Sequence, residues 1–105
     1  MNRLSPERLR SLRNEISIAE LIRDRLDLPN KFRDNFLRFL CPLCHEFNTA
    51  VNPKTNLGRC FLCKRNFNPI DLVMAVYGCS FIEAVKFLED PALSNRQFAA
   101  LLRQR

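Results

Sequence analysis

The chain has 105 residues, 47% hydrophobic and 27% charged, which suits a folded domain and excludes overall disorder. Its net charge is +6, and no run approaches the roughly 18 apolar residues that a bilayer-spanning helix needs. Five cysteines, an odd count, behind a polar and basic N-terminus exclude a secreted disulfide framework and predict a reducing, cytoplasmic setting, where paired Cys-x-x-Cys motifs more often bind metal.

Ser5-Pro6-Glu7 offers a capping serine, proline at the first helical position and an acid in the first turn, predicting a short helix to about Arg13. Ser17-Ile18-Ala19-Glu20 reads as a capping box. Ile18, Leu21, Ile22 and Leu26 then share one face, predicting a second helix that ends before Pro29. Over residues 34–40 the pattern alternates with period two. That predicts a strand with Phe36, Arg38 and Leu40 on one face and Leu37 and Phe39 on the other.

Strand-like pieces recur at 47–51 and 57–61, separated by the turn residues Asn52-Pro53-Lys54-Thr55-Asn56. The helical period then returns. Asn68-Pro69-Ile70-Asp71 opens a helix that stops at Gly78, and Ser80-Phe81-Ile82-Glu83 boxes another that Pro91 closes. Ser94 caps a last segment with Phe98, Leu101 and Leu102 on one side, while Met74, Phe81, Ile82, Val85 and Leu88 are expected in the core. The predicted fold class is small α+β, a zinc ribbon of short antiparallel strands flanked by N-terminal and C-terminal helices. Residues 1–30 form a helical arm packing on the ribbon, 31–67 the ribbon itself, and 68–105 the closing helices of the same domain.

Cys41 and Cys44 make one Cys-x-x-Cys pair and Cys60 and Cys63 another, with fifteen residues between. Each such turn presents two thiolates from one tight loop, and the turn at 52–56 folds the chain back so that all four meet. One structural Zn2+ is the expected cofactor. A four-thiolate iron–sulfur cluster satisfies the same spacing, whereas a redox pair lacks its βαβ context. His45 is a conceivable partner for Cys41, but the spacing of Cys44 mirrors the second pair. The histidine is therefore left outside the ligand set, as a neighbour, a surface residue or a phosphate contact. Cys79, between two helices, is expected to be a small buried side chain.

A closed four-thiolate site does no chemistry, and a single histidine leaves little for Ser–His or Cys–His catalysis. No catalytic residue is assigned and no small-molecule substrate is expected. Residues 31–67 carry Lys31, Arg33, Arg38, Lys54, Arg59, Lys64 and Arg65 against Asp34 and Glu46, a net +5, and the flanking segments are nearly neutral. Phe36, Phe39, Phe47, Phe61 and Phe67 are interleaved with these charges. Rings that stack on bases beside cations that neutralise phosphates suit single-stranded nucleic acid, although most of these rings are expected in the core. The candidate contacts are Arg38 and Arg59 on adjacent strands, Lys54, Lys64 and Arg65 at the rim, and Phe61. The rival reading is a protein-interaction adaptor that docks through the last helix, whose apolar side equally suits capping the chain's own core.

Residues 16–89 resemble the N-terminal zinc-binding domain of bacterial and phage DnaG-type DNA primases. The likeness rests on the helix at 16–28, Phe39-Leu40-Cys41-Pro42-Leu43-Cys44, Arg59-Cys60-Phe61-Leu62-Cys63, Ile70-Asp71-Leu72-Val73 and Ser80-Phe81-Ile82-Glu83-Ala84-Val85-Lys86-Phe87-Leu88. Cys44 stands where that family usually has its histidine ligand. Lys64-Arg65-Asn66-Phe67-Asn68 replaces its glycine-rich stretch, and Asn48-Thr49-Ala50-Val51 its Thr-Pro-Ser-Phe segment. The resemblance implies a zinc-dependent module that contacts single-stranded DNA template in replication and primer synthesis. Its implied partners are a helicase, a catalytic primase subunit or a mobile-element replication protein. The likeness is to the non-catalytic domain of a DNA-directed RNA polymerase, and nothing after residue 90 offers the clustered acids of nucleotide transfer, so no enzyme activity is expected of the chain by itself.

Overall fold

The computed structural model describes residues 5–104. Helix α1 covers Pro6–Asn14, with the Ser5 hydroxyl accepting from the Arg8 N–H. Helix α2 covers Ile18–Glu20 and runs on as a π-helical turn over Leu21–Arg25. Ser17 accepts from the Glu20 N–H, the serine half of the predicted box. The Leu26 N–H reaches back five residues to the Leu21 carbonyl, and this wider turn keeps Leu26 on Leu21's side of the helix. Ile18, Leu21, Ile22 and Leu26 are all buried, as their spacing predicts.

Five strands follow: β1 Asn30–Arg33, β2 Phe36–Phe39, β3 Thr49–Asn52, β4 Leu57–Cys60 and β5 Arg65–Phe67. They pair antiparallel in chain order, as a meander. The predicted strand at 34–40 starts two residues late because Asp34 and Asn35 both take positive φ, 53° and 65°. They form the two-residue hairpin turn that joins β2 to β1, a strand the sequence reading did not anticipate. Phe47 lies ahead of β3, exposed, with the Lys31 ammonium 5.0 Å from its ring centre. Phe61 lies just past the end of β4.

Alternation sorts the sheet into two faces. Leu37, Phe39, Thr49, Val51, Cys60 and Phe67 face the helices and are buried. Thr49 satisfies its hydroxyl by donating to the Phe39 carbonyl. Gly58 lies on this face against the ring of fully buried Phe39, and an added Cβ would stand 2.7 Å from Phe39 Cζ. Gly58→Ala is therefore expected to destabilise the fold by about 1–3 kcal/mol, read as a lower urea midpoint at unchanged slope. A midpoint within error of the parent would show that the ring yields.

The closing helices are α3 Pro69–Tyr77, α4 Phe81–Glu89 and α5 Asn95–Arg103. Each starts with a reciprocal capping box, Asn68 with Asp71, Ser80 with Glu83 and Ser94 with Gln97. Gly78 ends α3 in the left-handed conformation, which glycine adopts without strain. Val85 and Leu88 are buried as expected and Met74 is half-buried, but Phe81 and Ile82 are not core residues. They occupy the first turn of α4, outside its inward stripe of Ala84, Val85, Phe87 and Leu88, and Ile82 is 50% exposed. On α5, Phe98 is buried and Leu102 packs against the core, whereas Leu101 is 56% exposed.

One hydrophobic cluster joins residues of α1, the sheet and all three closing helices. Arg8 donates from Nε and Nη2 to the Glu89 carboxylate, tying α1 to α4. Asn56, with positive φ in the β3–β4 turn, accepts from the Ile18 N–H and donates to the Arg13 and Ile16 carbonyls. This side chain fastens the hairpin tip to the α1–α2 connection. Among the described residues no helix is long and apolar enough to cross a membrane.

Candidate metal centre

The antiparallel return of β3 and β4 brings the two Cys-x-x-Cys turns to one end of the sheet. Cys41 follows β2 and Cys60 ends β4, both fully buried, while Cys44 and Cys63 are partly exposed. The four sulfurs lie within 4.8 Å of one another, with 3.9 Å between Cys41 and Cys63 and 3.7 Å between Cys44 and Cys60. A tetrahedral zinc with bonds of about 2.3 Å requires sulfur separations of about 3.8 Å, so the donor set matches the ion in number, softness and spacing. The four cysteines are positioned to hold one structural zinc.

The two turns share one construction. The Leu43 N–H points to Cys41 Sγ at 3.4 Å and the Cys63 N–H to Cys60 Sγ at 3.3 Å. His45 and Lys64, the residues after each pair, return their N–H groups to the Cys41 and Cys60 carbonyls at 2.9 and 2.8 Å. Both take left-handed backbone, with φ of 61° and 58°. His45 is thus the counterpart of Lys64, exposed and outside the sulfur cluster.

Burial opposes ionisation of Cys60, but hydrogen bonds from the Cys63 and Leu62 amides and the Cys44 and Cys41 sulfurs together bring the thiol down to about 7. The neighbouring Cys44 sulfur is the chief cause that pushes Cys63 up to about 12. Ionising all four thiols at this spacing requires a cation among them, which a bound zinc would supply. With four protein sulfurs around it, such an ion keeps no open position and serves to hold the two turns together.

The profile of the CHC2 zinc finger, the zinc ribbon of DnaG, matches residues 4–100. The chain belongs to the CHC2 zinc finger family. No curated protein matches it. In this CHC2 zinc finger the cluster positioned for the metal is four sulfurs, with Cys44 and not His45 beside Cys41 in it. The chain is accordingly a zinc-binding module of the primase type.

The outer face of this zinc finger's sheet gathers some of the predicted contact residues and separates others. The register aligns Lys31, Arg38, Ala50, Arg59 and Asn66 in one row across all five strands. Arg38, Arg59 and Phe61 line a hollow of about 300 Å³ together with Phe36, Ala50 and Asn66. Lys54 lies instead beside a second hollow at the hairpin tip, between the turn and the α1–α2 connection. Lys64 closes the second cysteine turn, and Arg65 lines a groove between the first cysteine turn and α3. Asn66, opposite Arg59, and Asn52, opposite Leu57, also line this hollow, and the sequence marks neither as a lining residue because cross-strand register leaves no local pattern.

Proposed function

We propose that this zinc finger binds single-stranded DNA on the outer face of its sheet, as the template-contacting module of primer synthesis in replication. The carrying observation is the cationic row of Lys31, Arg38 and Arg59 on the face away from the core, with Phe36 and Phe61 exposed at 45% and 59%. Rings and cations on one solvent-facing platform suit a strand whose bases stack while its phosphates are neutralised. The metal holds the platform in shape, and nucleotide transfer is the work of another domain or polypeptide in the cytoplasm. Lys54, Lys64 and Arg65 serve as peripheral phosphate contacts in this reading.

Neutralising three to five phosphates should make log affinity fall against log salt with a slope of roughly −2 to −3.5. Titration of a labelled oligonucleotide at several salt concentrations measures it, and a flat dependence would sink the reading. A second reading, docking on a helicase, a catalytic primase subunit or a mobile-element replication protein, has in its favour the exposed Leu101. That residue sits with Leu93, Gln97 and Ala100 along a shallow groove on α5.

A further inference from the structure

We propose that the hollow on the outer sheet face takes a single nucleobase and prefers guanine. The inference rests on the single-stranded DNA reading and goes further, to which base the site admits. Its floor is Ala50, whose small side chain lies between Arg38 and Arg59 in the cross-strand row. Phe36, Phe61 and Leu57 give it apolar walls. Such walls suit the flat face of a base and oppose a phosphate, which would lose its hydration against them.

The polar groups of the hollow are almost all donors. Arg38 Nε is buried and has no hydrogen-bond partner among the described residues, although Arg38 Nη2 stands 3.9 Å from the Asp34 carboxylate at the rim. Both side-chain amide oxygens are already engaged. Asn66 Oδ1 accepts from Arg59 Nη1 at 3.3 Å, and Asn52 Oδ1 accepts from the Lys54 N–H at 3.0 Å. The Thr55 hydroxyl donates to the Asn52 carbonyl. What remains for a ligand is the exposed end of the Arg38 guanidinium, the rest of the Arg59 fork and the amide N–H groups of Asn66 and Asn52.

A donor-lined site selects the edge that offers only acceptors. Guanine presents N7 and O6 side by side, the arrangement that an arginine fork matches with two bonds. On the corresponding edge adenine and cytosine bring an exocyclic amino group that would face donors, and thymine brings O4 beside a methyl group, while the guanine amino group lies on the opposite edge. The larger purine ring also covers more of Phe36 or Phe61.

The test is fluorescence anisotropy of the zinc-loaded chain with an octathymidylate and with octamers carrying one central guanine, adenine or cytosine. The guanine octamer is expected to bind roughly ten-fold tighter than the octathymidylate, the magnitude of one good bidentate contact. Replacing guanine by 7-deazaguanine, which lacks the N7 acceptor, should remove most of that advantage. Arg59→Lys keeps the charge but not the fork, and should bring the guanine-to-thymine ratio to about two or less. Arg38→Lys gives a second reading of the same ratio, and zinc content with melting temperature verifies both variants' fold.

Equal affinity for all four octamers, with the salt dependence intact, overturns the guanine preference and leaves the DNA-binding reading standing. An adenine preference, or a guanine preference that survives both substitutions, overturns it too. Failure of every octamer to bind overturns the DNA-binding reading and this proposal with it, and is told apart from the other failures by the absence of any salt-dependent signal.

Discussion

Removing the zinc is expected to unfold the ribbon rather than loosen it. Cys41 and Cys60 are fully buried within the same cluster as Phe39, Val51 and Phe67, so the site is part of the core. Cys41 and Cys63 Sγ stand 3.9 Å apart across the site and Cys44 and Cys60 Sγ 3.7 Å, a spacing at which four ionised sulfurs would repel one another without a cation between them. Structural zinc contributes about 10–16 kcal/mol of apparent binding free energy. The whole stability of a typical domain is about 5–15 kcal/mol, so the metal outweighs any other single interaction. Excess chelator should abolish the thermal transition seen by circular dichroism, and added zinc should restore it. Cys44→Ala should lose metal in the same assay, whereas His45→Ala should retain one zinc per chain, because position 45 needs only a left-handed backbone. A His45→Ala chain that releases its metal would overturn the four-sulfur assignment.

Phe98→Ala should cost about 3–5 kcal/mol, the range for truncating a buried phenylalanine. The ring is 4% exposed and lies 4.8 Å from both Tyr77 and Phe87, edge-on to Tyr77 at 85°. Phe87 also carries the Arg25 guanidinium 3.8 Å from its centre. Arg25 donates to the Asp90 and Leu93 carbonyls at 2.9 and 2.8 Å, pinning the α4–α5 connection. Burial pushes the Tyr77 hydroxyl up to about 12 against the pull of Arg25, so it stays protonated and donates to Asn95 Oδ1. Phe98 therefore closes a cluster that joins α2, α3, α4 and α5. At 4–8 °C per kcal/mol for a domain near this size, melting should fall by well over 10 °C. Leu101→Ala, at an exposed position, should change stability by about 0.5 kcal/mol or less. A Phe98→Ala chain that melts within a few degrees of the parent would show that α5 contributes little to the core and is available for docking.

The helix starts and the metal ligands were legible because both are local. Ser5, Asn68, Ser80 and Ser94 cap the helices they announce, and two Cys-x-x-Cys turns need only a hairpin between them. β1 was not legible, since all four of its residues are exposed and it has no alternation to detect. β5 has three residues with Phe67 alone buried, too short for a period. Periodicity marked the apolar stripe of α4 but not its edge, so it places Phe81 and Ile82 inward, and on α5 it does not separate the exposed Leu101 from buried Phe98. Asn56 read as turn punctuation. Its bonds run to Arg13, Ile16 and Ile18, about forty positions away, and only the folded chain places them within reach.

Because the strands pair in chain order, no ladder closes across a connection longer than residues 40–48. Loop-closure entropy rises only with the logarithm of loop length, so bringing the two cysteine turns together demands little ordering of remote chain. Among the described residues all five strands and all four cysteines of the metal centre lie before residue 68, ahead of α3, α4 and α5. Local pairing of this kind favours rapid folding, and during synthesis the ribbon's strands and ligands all precede the helices that cover them. The late-made helices then complete a surface whose metal ligands are already assembled in sequence.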